Sequence, residues 1–325
     1  MQRRALTGYI PARMSDATAP RVPTFSHRLE YYGTRAAVAA LHLVGWRAAS
    51  WLGGRLARLA YKPLGIRRGV VERQIAAAFP ALSPDTVRDL AGRSYESLGR
   101  TSIETAVLPG TSREEILARV ERVVGWEHVE AAQALGKGTI LVTGHLGNWE
   151  FGGAYFAARG VPLDVVARGM ANPIFEAYVN ETRQRIGMEV IHDRDAVRRT
   201  PRSLRGNRAV AFVSDHDALG LASTFVPFFG RPAKTPRGPA VFALRFDAPV
   251  LFIAVVRQPS GRYAVYVEPV VVARTGDREA DIDAIVLRFT QMLEDKIRAY
   301  PEQYFWQHRR WRRQPPDTPP HLGEP

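Results

Sequence analysis

The chain has 325 residues, 46% of them hydrophobic, enough to build a full core as one large domain or two small ones. It contains no cysteine, which excludes disulfides, thiol nucleophiles and cysteine-ligated zinc or iron–sulfur sites, and is compatible with a cytoplasmic location. Its 45 Lys+Arg against 32 Asp+Glu give a formal charge of +13, which draws it towards phospholipid headgroups, phosphorylated glycolipids, acidic carrier proteins or nucleic acid without choosing among them.

The first thirty residues hold no sustained apolar core and are broken by Pro11, Pro20 and Pro23. They predict no signal peptide, and residues 1–26 read as disordered. Residues 27–62 read as a membrane-anchoring helix region. Residues 36–49 are apolar apart from His42 and Arg47, too short a run for the ~20 residues that span a bilayer. The expectation is an interfacial helix, with Arg55 and Arg58 snorkelling and Trp46, Trp51 and Tyr61 as belt aromatics. An ordinary amphipathic core helix is the alternative.

Ser83-Pro84-Asp85 starts a helix that reaches about Val107 before Pro109. Helices over 112–120 and 126–135 then lead to a buried strand at 140–142. Strand-like runs follow at 163–167, 188–191, 209–213 and 250–256, with an edge strand at 263–272. Helices over 148–158, 173–186, 195–204, 235–246 and 279–300 fall between and after them, and Pro201 should end or kink the one over 195–204. This alternation predicts an α/β catalytic domain over 63–313, a mixed or largely parallel central sheet flanked by helices. The proline-rich residues 314–325 read as a disordered tail.

The strand at 140–142 delivers Gly144-His145-Leu-Gly147-Asn148-Trp-Glu150 to one turn. Asn148 is a natural N-cap, and Glu150 falls in the first helical turn, from which its carboxylate is expected to fold back on one nitrogen of His145. No Gly-x-Ser-x-Gly elbow accompanies this pair, so it must activate a nucleophile that the substrate brings. An acceptor hydroxyl, deprotonated by His145 as it attacks an activated acyl group, fits that requirement. The oxyanion then needs donors, for which the N–H groups of 147–149 or the Arg168 guanidinium serve best. The plainer alternative is a histidine merely hydrogen-bonded at a strand end.

Two further clusters leave strands. Arg168 precedes Asn172-Pro173, with Arg183 on the helix after it, and these guanidiniums suit a phosphate or carboxylate. The second cluster is Ser214-Asp215-His216-Asp217, followed by Phe225, Phe228 and Phe229. Its Asp-x-Asp raises the alternative of a metal-dependent glycosyltransferase using Asp215 and Asp217, although no glycine-rich phosphate loop precedes it. The phenylalanines suit an acyl chain or simple core packing. Charge alone also admits a non-enzymatic basic binding protein, but no nucleic-acid-binding motif is present.

These clusters, together with 301–312 (Pro-Glu-Gln-Tyr-Phe-Trp-Gln-His-Arg-Arg-Trp-Arg), 77–80 and 92–99, occur in an order that resembles the late acyltransferases of lipid A biosynthesis. That family, of lauroyl/myristoyl acyltransferase type, is part of the glycerolipid acyltransferase superfamily. The resemblance extends from about His27 to Arg313. It implies that His145 and Glu150 are the catalytic His-x4-Glu motif, and that Asn148, Arg168, Arg183 and Asp215 bind substrate. It also implies an enzyme at the cytoplasmic face of the inner membrane. Such an enzyme moves an acyl group from acyl carrier protein or acyl-CoA to an anionic glycolipid acceptor, with no metal or other cofactor and no nucleic acid. The Arg-rich end at Arg309, Arg310, Arg312 and Arg313 would hold the phosphorylated acceptor or the acidic carrier.

Overall fold

A computed structural model describes residues 23–216 and 220–325. In chain order its elements are α1 (Phe25–Val44), α2 (Trp46–Tyr61), α3 (Arg68–Ala78), α4 (Pro84–Val107), α5 (Arg113–Ala118), β1 (Val120–Val124), α6 (Trp126–Ala134), β2 (Thr139–Thr143), α7 (Trp149–Ala158) and β3 (Leu163–Ala167). They continue as α8 (Pro173–Arg185), β4 (Met188–His192), α9 (Ala196–Arg205), β5 (Ala209–Val213), β6 (Ser223–Phe228), β7 (Arg231–Pro236), α10 (Gly238–Phe246), β8 (Val250–Arg257), β9 (Tyr263–Pro269) and α11 (Arg278–Ala299).

Seven strands form one sheet in the order β1-β9-β8-β2-β5-β3-β4, and β6 pairs with β7 as a separate hairpin. Every pairing in the large sheet is parallel except β8 with β9. β8 shows why the sheet is central: all of it is buried, and alternate residues feed two cores. Leu251, Ile253 and Val255 pack with α5, α6 and α7 on one face. Val250, Phe252, Ala254 and Val256 pack with α3, α4, α10 and α11 on the other. An apolar run without period-two polarity is the pattern of a strand covered on both faces.

The alternation predicted from sequence is present, with differences of detail. The strand expected at the edge is β9, which lies inside the sheet because β1 pairs beyond it. The helix expected over 112–120 stops at Ala118, and the chain turns directly into β1. The helix expected over 235–246 begins at Gly238, its first residues being used instead by the β6–β7 hairpin. Pro201 neither ends nor interrupts α9. Sitting in the middle of a ten-residue helix, it forgoes one backbone bond, and the helix packs against β4 and β5 regardless.

The N-terminal region is two helices rather than one, broken at Gly45, whose φ of +79° suits glycine. Thr24 caps α1 at Phe25, just inside the stretch expected to be disordered; the rest of that stretch up to residue 22 lies outside the described residues. No helix among the described residues is long and apolar enough to cross a membrane. Residues 314–325, expected as a disordered tail, lie against the body, where Arg231 donates to the Gly323 carbonyl at 2.8 Å and Arg309 pairs with Glu324.

Candidate active site

β2 and β5 are neighbours in parallel register, with Thr143 opposite Val213. Two residues beyond that pair, each strand has left the sheet: β2 delivers His145 and β5 delivers Asp215 at the same level. The Asp215 carboxylate takes both donors that His145 offers. Its Oδ1 lies 2.7 Å from the ring Nδ1, and its Oδ2 accepts the His145 backbone N–H at 2.9 Å. Burial pushes the Asp215 pKa up, but the adjacent His145 and His216 and the hydrogen bonds from His145 outweigh this and hold the carboxyl well below the usual range. The imidazole therefore keeps a proton on Nδ1 and presents Nε2 as the acceptor. Its face is stacked on His216, with ring centroids 3.6 Å apart and planes 7° apart, and Trp149 meets it edge-on at 4.6 Å.

Glu150 does not hold His145. It forms a two-point ion pair with Arg183, whose Nη2 donates to Oε1 at 2.7 Å and Nε to Oε2 at 3.4 Å. The physical reason is direction: from the first turn of α7 the Glu150 side chain reaches the flank where α8 brings Arg183, while the His145 ring nitrogen is already taken by Asp215. Two expectations change together. Asp215 is the partner of the histidine rather than a substrate-binding residue, and Arg183 is committed to Glu150 rather than free for a substrate anion.

Asn148 is also turned inward. It is fully buried, its Oδ1 caps α7 by accepting from Phe151 N–H at 2.9 Å, and its amide donates to Glu104 and Tyr263, both at 3.1 Å. Substrate is thus out of its reach. Arg168 is exposed just past β3, and its side chain has no hydrogen-bond or ion-pair partner among the described residues. Of Arg168 and Arg183, the two guanidiniums of the first cluster, only Arg168 keeps its side-chain donors unpaired among the described residues.

The turn itself is tied on all sides. Gly147 N–H donates to the Gln303 carbonyl and Asn148 N–H to the Val255 carbonyl, each at 2.9 Å, and Phe305 N–H donates to the His145 carbonyl at 3.0 Å. Gly147 has φ +64°, and a Cβ there would collide with the Val255 carbonyl, so only glycine lets the turn lie against β8. The backbone donors expected for an oxyanion are consequently fewer: Gly147 and Asn148 are used, whereas no described residue accepts from the N–H of Trp149 or Glu150.

Beside this turn, between α7 and the sheet, lies a cleft. Glu150 and Arg183 line it together with apolar side chains that include Leu141, Phe156, Val165, Met188 and Ile253. Gly152 and Gly153 form the α7 wall, where a Cβ would come within 2.9 Å of Val255 and 2.8 Å of Met188 respectively. The phenylalanines of the second cluster are not in it. Phe228 and Phe229 are buried in the core, with Phe228 packed on Tyr304 and Trp311, and Phe225 is exposed.

Asp-x-Asp as a metal centre fares no better. His145, Asp215 and His216 bring ligand atoms within 4.8 Å of one another. Both Asp215 oxygens are nevertheless occupied by His145, and the two imidazoles face each other ring to ring instead of converging on a point. Asp217 lies outside the described residues. At the Arg-rich end, Arg310 is buried, donating to the Lys234 carbonyl at 2.7 Å and the Thr235 hydroxyl at 2.6 Å, and Arg309 faces Glu324. Neither is an open anion site.

A strand-exit histidine oriented by a buried carboxylate beside an apolar cleft is the equipment of an acyl-transferring enzyme. The family described as bacterial lipid A biosynthesis acyltransferase matches residues 21–313, and the chain belongs to it. It is 27% identical over 270 residues to the lipid A biosynthesis lauroyltransferase of Escherichia coli, covering 82% of this chain and 86% of that one. It is 28% identical over 295 residues to the phosphatidylinositol mannoside acyltransferase of Mycobacterium tuberculosis, covering 86% and 90%. To the lipid A biosynthesis palmitoleoyltransferase of E. coli it is 24% identical over 267 residues, covering 82% and 85%. The protein is an acyltransferase of the lipid A and glycolipid class.

Proposed function

We propose that the chain moves a fatty acyl group from an acyl thioester, carried on acyl carrier protein or CoA, to a hydroxyl of a lipid A precursor or related glycolipid at the cytoplasmic face of the inner membrane. The observation that carries the reading is the His145–Asp215 pair opening beside the α7 cleft. The acceptor hydroxyl gives its proton to His145 Nε2 as its oxygen attacks the thioester carbonyl. Asp215 stabilises the imidazolium that forms, and the tetrahedral intermediate collapses with the thiolate leaving and taking up that proton. The N–H groups of Trp149 and Glu150, at the positive end of α7, are the backbone donors left for the oxyanion. The acyl chain fits the apolar cleft, and the Glu150–Arg183 pair spans its α7 and α8 walls.

Membrane contact is assigned to α1 and α2. Leu43, Trp51, Leu56 and Leu59 are at least half exposed on them, with Arg55 and Arg58 alongside. Trp46 is not one of these contacts, since it packs on Phe151 at 6.2 Å and under the Arg119 guanidinium at 4.1 Å.

Purified protein given an acyl thioester and a phosphorylated glycolipid is expected to transfer the chain, with the product read by mass spectrometry. His145→Ala should abolish transfer while leaving the protein folded, and excess EDTA should leave wild-type activity intact. Near-wild-type turnover by His145→Ala would overturn the reading. Lipids from cells with and without the gene, compared by the same method, identify the acceptor and the acyl length.

A further inference from the structure

Glu104 is a carboxylate buried inside α4, outside the sequence motifs, and four side chains from four other parts of the fold donate to it. Ser50 of α2 reaches Oε1 at 2.6 Å, and Arg257 at the end of β8 donates from Nε at 3.0 Å and again from Nη2. Tyr263 of β9 donates through its hydroxyl, and Asn148, in the turn after His145, through its amide at 3.1 Å. A carboxylate has about four lone-pair sites, so these donors exhaust it and none remains for a substrate.

This arrangement decides which way Asn148 faces. Because Glu104 and Tyr263 take its amide hydrogens, its oxygen must point at Phe151 N–H, which sets the start of α7. The same face of α4 holds the preceding residue: Thr101 donates to the Gly147 carbonyl at 3.0 Å and itself accepts from Arg257. Arg257 is locked in turn by Gln303, which exchanges two 2.8 Å bonds with its backbone and accepts the Gly147 N–H through its own carbonyl. Apart from the Val255 carbonyl and the two α7 N–H groups that Asn148 accepts, the ties on Gly147 and Asn148 thus lead back to the Glu104–Arg257 pair.

We propose that Glu104 is a positioning residue for acyl transfer, its carboxylate gathering α2, α4, β8, β9 and the His145 turn onto one point so that the base keeps its aim. The proposal rests on His145 being that base. Displacement of a reacting group by about 1 Å costs about a hundredfold in rate, so loss of Glu104 should appear in kcat rather than in substrate affinity.

The test is steady-state kinetics of the full chain with an acyl thioester and a phosphorylated glycolipid, beside thermal unfolding. Glu104→Gln is expected to lower kcat about ten- to hundredfold with KM within about twofold of wild type. Combined with Asn148→Ala, it should lower kcat no further than the more damaging single change, because both act through one turn. If Glu104→Gln does not fold, Tyr263→Phe decides: it removes one donor from Glu104 and one acceptor from Asn148, and should lower kcat at constant KM. A lower melting temperature with unchanged kcat, or losses in the double variant that multiply, makes Glu104 purely structural and overturns the proposal alone. A wild-type protein no more active than His145→Ala overturns the acyltransferase reading and this proposal with it.

Discussion

The division of two carboxylates, Asp215 to His145 and Glu150 to Arg183, is the residue-level fact from which the chemistry follows. Asp215→Asn keeps the size of the side chain but loses the charge that stabilises an imidazolium, so kcat is expected to fall by about 10²–10⁴-fold with little change in KM. Glu150→Gln and Arg183→Gln act on one ion pair and should be non-additive, with a coupling of about 1–3 kcal/mol in double-variant unfolding measurements. That figure is discounted from a fully buried pair because the Glu150 side chain is 25% exposed. His216 makes a separate prediction. Burial pushes its pKa down from 6.5 to about 3 against the pull of Asp215, with His145, His308 and Arg310 adding to the depression. Below pH 6.5 the unfolded chain takes up a proton that the folded one refuses. Stability from this group is therefore complete above about pH 6.5 and declines towards pH 3, by up to about 1.4 kcal/mol per unit. Denaturant unfolding at pH 7.5 and pH 5.5 should show that loss in wild type and a smaller one in His216→Phe; equal losses would remove His216 as the cause.

The two N-terminal helices differ in what holds them. α2 lies along α4 with glycine against glycine: a Cβ on Gly99 would collide with the Gly53 carbonyl and Ala57. Gly99→Val is accordingly expected to force the helices apart and lower the melting temperature by several degrees, as an overpacked interface costs about 1–3 kcal/mol. α1 buries only Val38 among its residues, and it touches the body chiefly at α8 through Asn172 to Glu30 and Arg35 over Tyr178. Deleting residues 1–44 should leave cooperative unfolding in place and weaken sedimentation with vesicles. Deleting through Tyr61 should not give a stable fold, because Ser50, Gly53 and Tyr61 are buried against α4. A 45–325 protein that binds vesicles as wild type does would place the membrane contact on α2 alone.

At the scale of the molecule, the net charge of +13 and the exposed apolar faces of α1 and α2 act on a membrane in different ways. Electrostatic attraction to anionic lipid falls as the Debye length shrinks from about 10 Å at 0.1 M salt to about 3 Å at 1 M, while apolar insertion is not screened. Flotation with vesicles containing anionic phospholipid should thus weaken over that range without vanishing. Complete release at 1 M salt would show that α1 and α2 lie on the surface without inserting.

The sequence by itself determined the elements that local physics controls. The strand at 140–142, the Asn148 cap, the glycine at 147 and the repeated change from strand to helix were legible because backbone period, capping and turn chemistry act over a few residues. The His145 turn was legible as a site for the same reason. Tertiary structure decided the partners. Glu150 is five residues from His145 but faces Arg183, and Asp215, seventy residues away, holds the imidazole because β5 lies beside β2 in parallel register. That strand order sets which exits share a level, and spacing along the chain carries no information about it beyond the parity of the register. Arg310, Phe228 and Glu104 follow the same rule: their residue types suggest surface charge, a lipid pocket and a solvated helix face, and packing from distant segments buries all three. Burial is a property of what the rest of the chain brings alongside, so no local pattern could settle it.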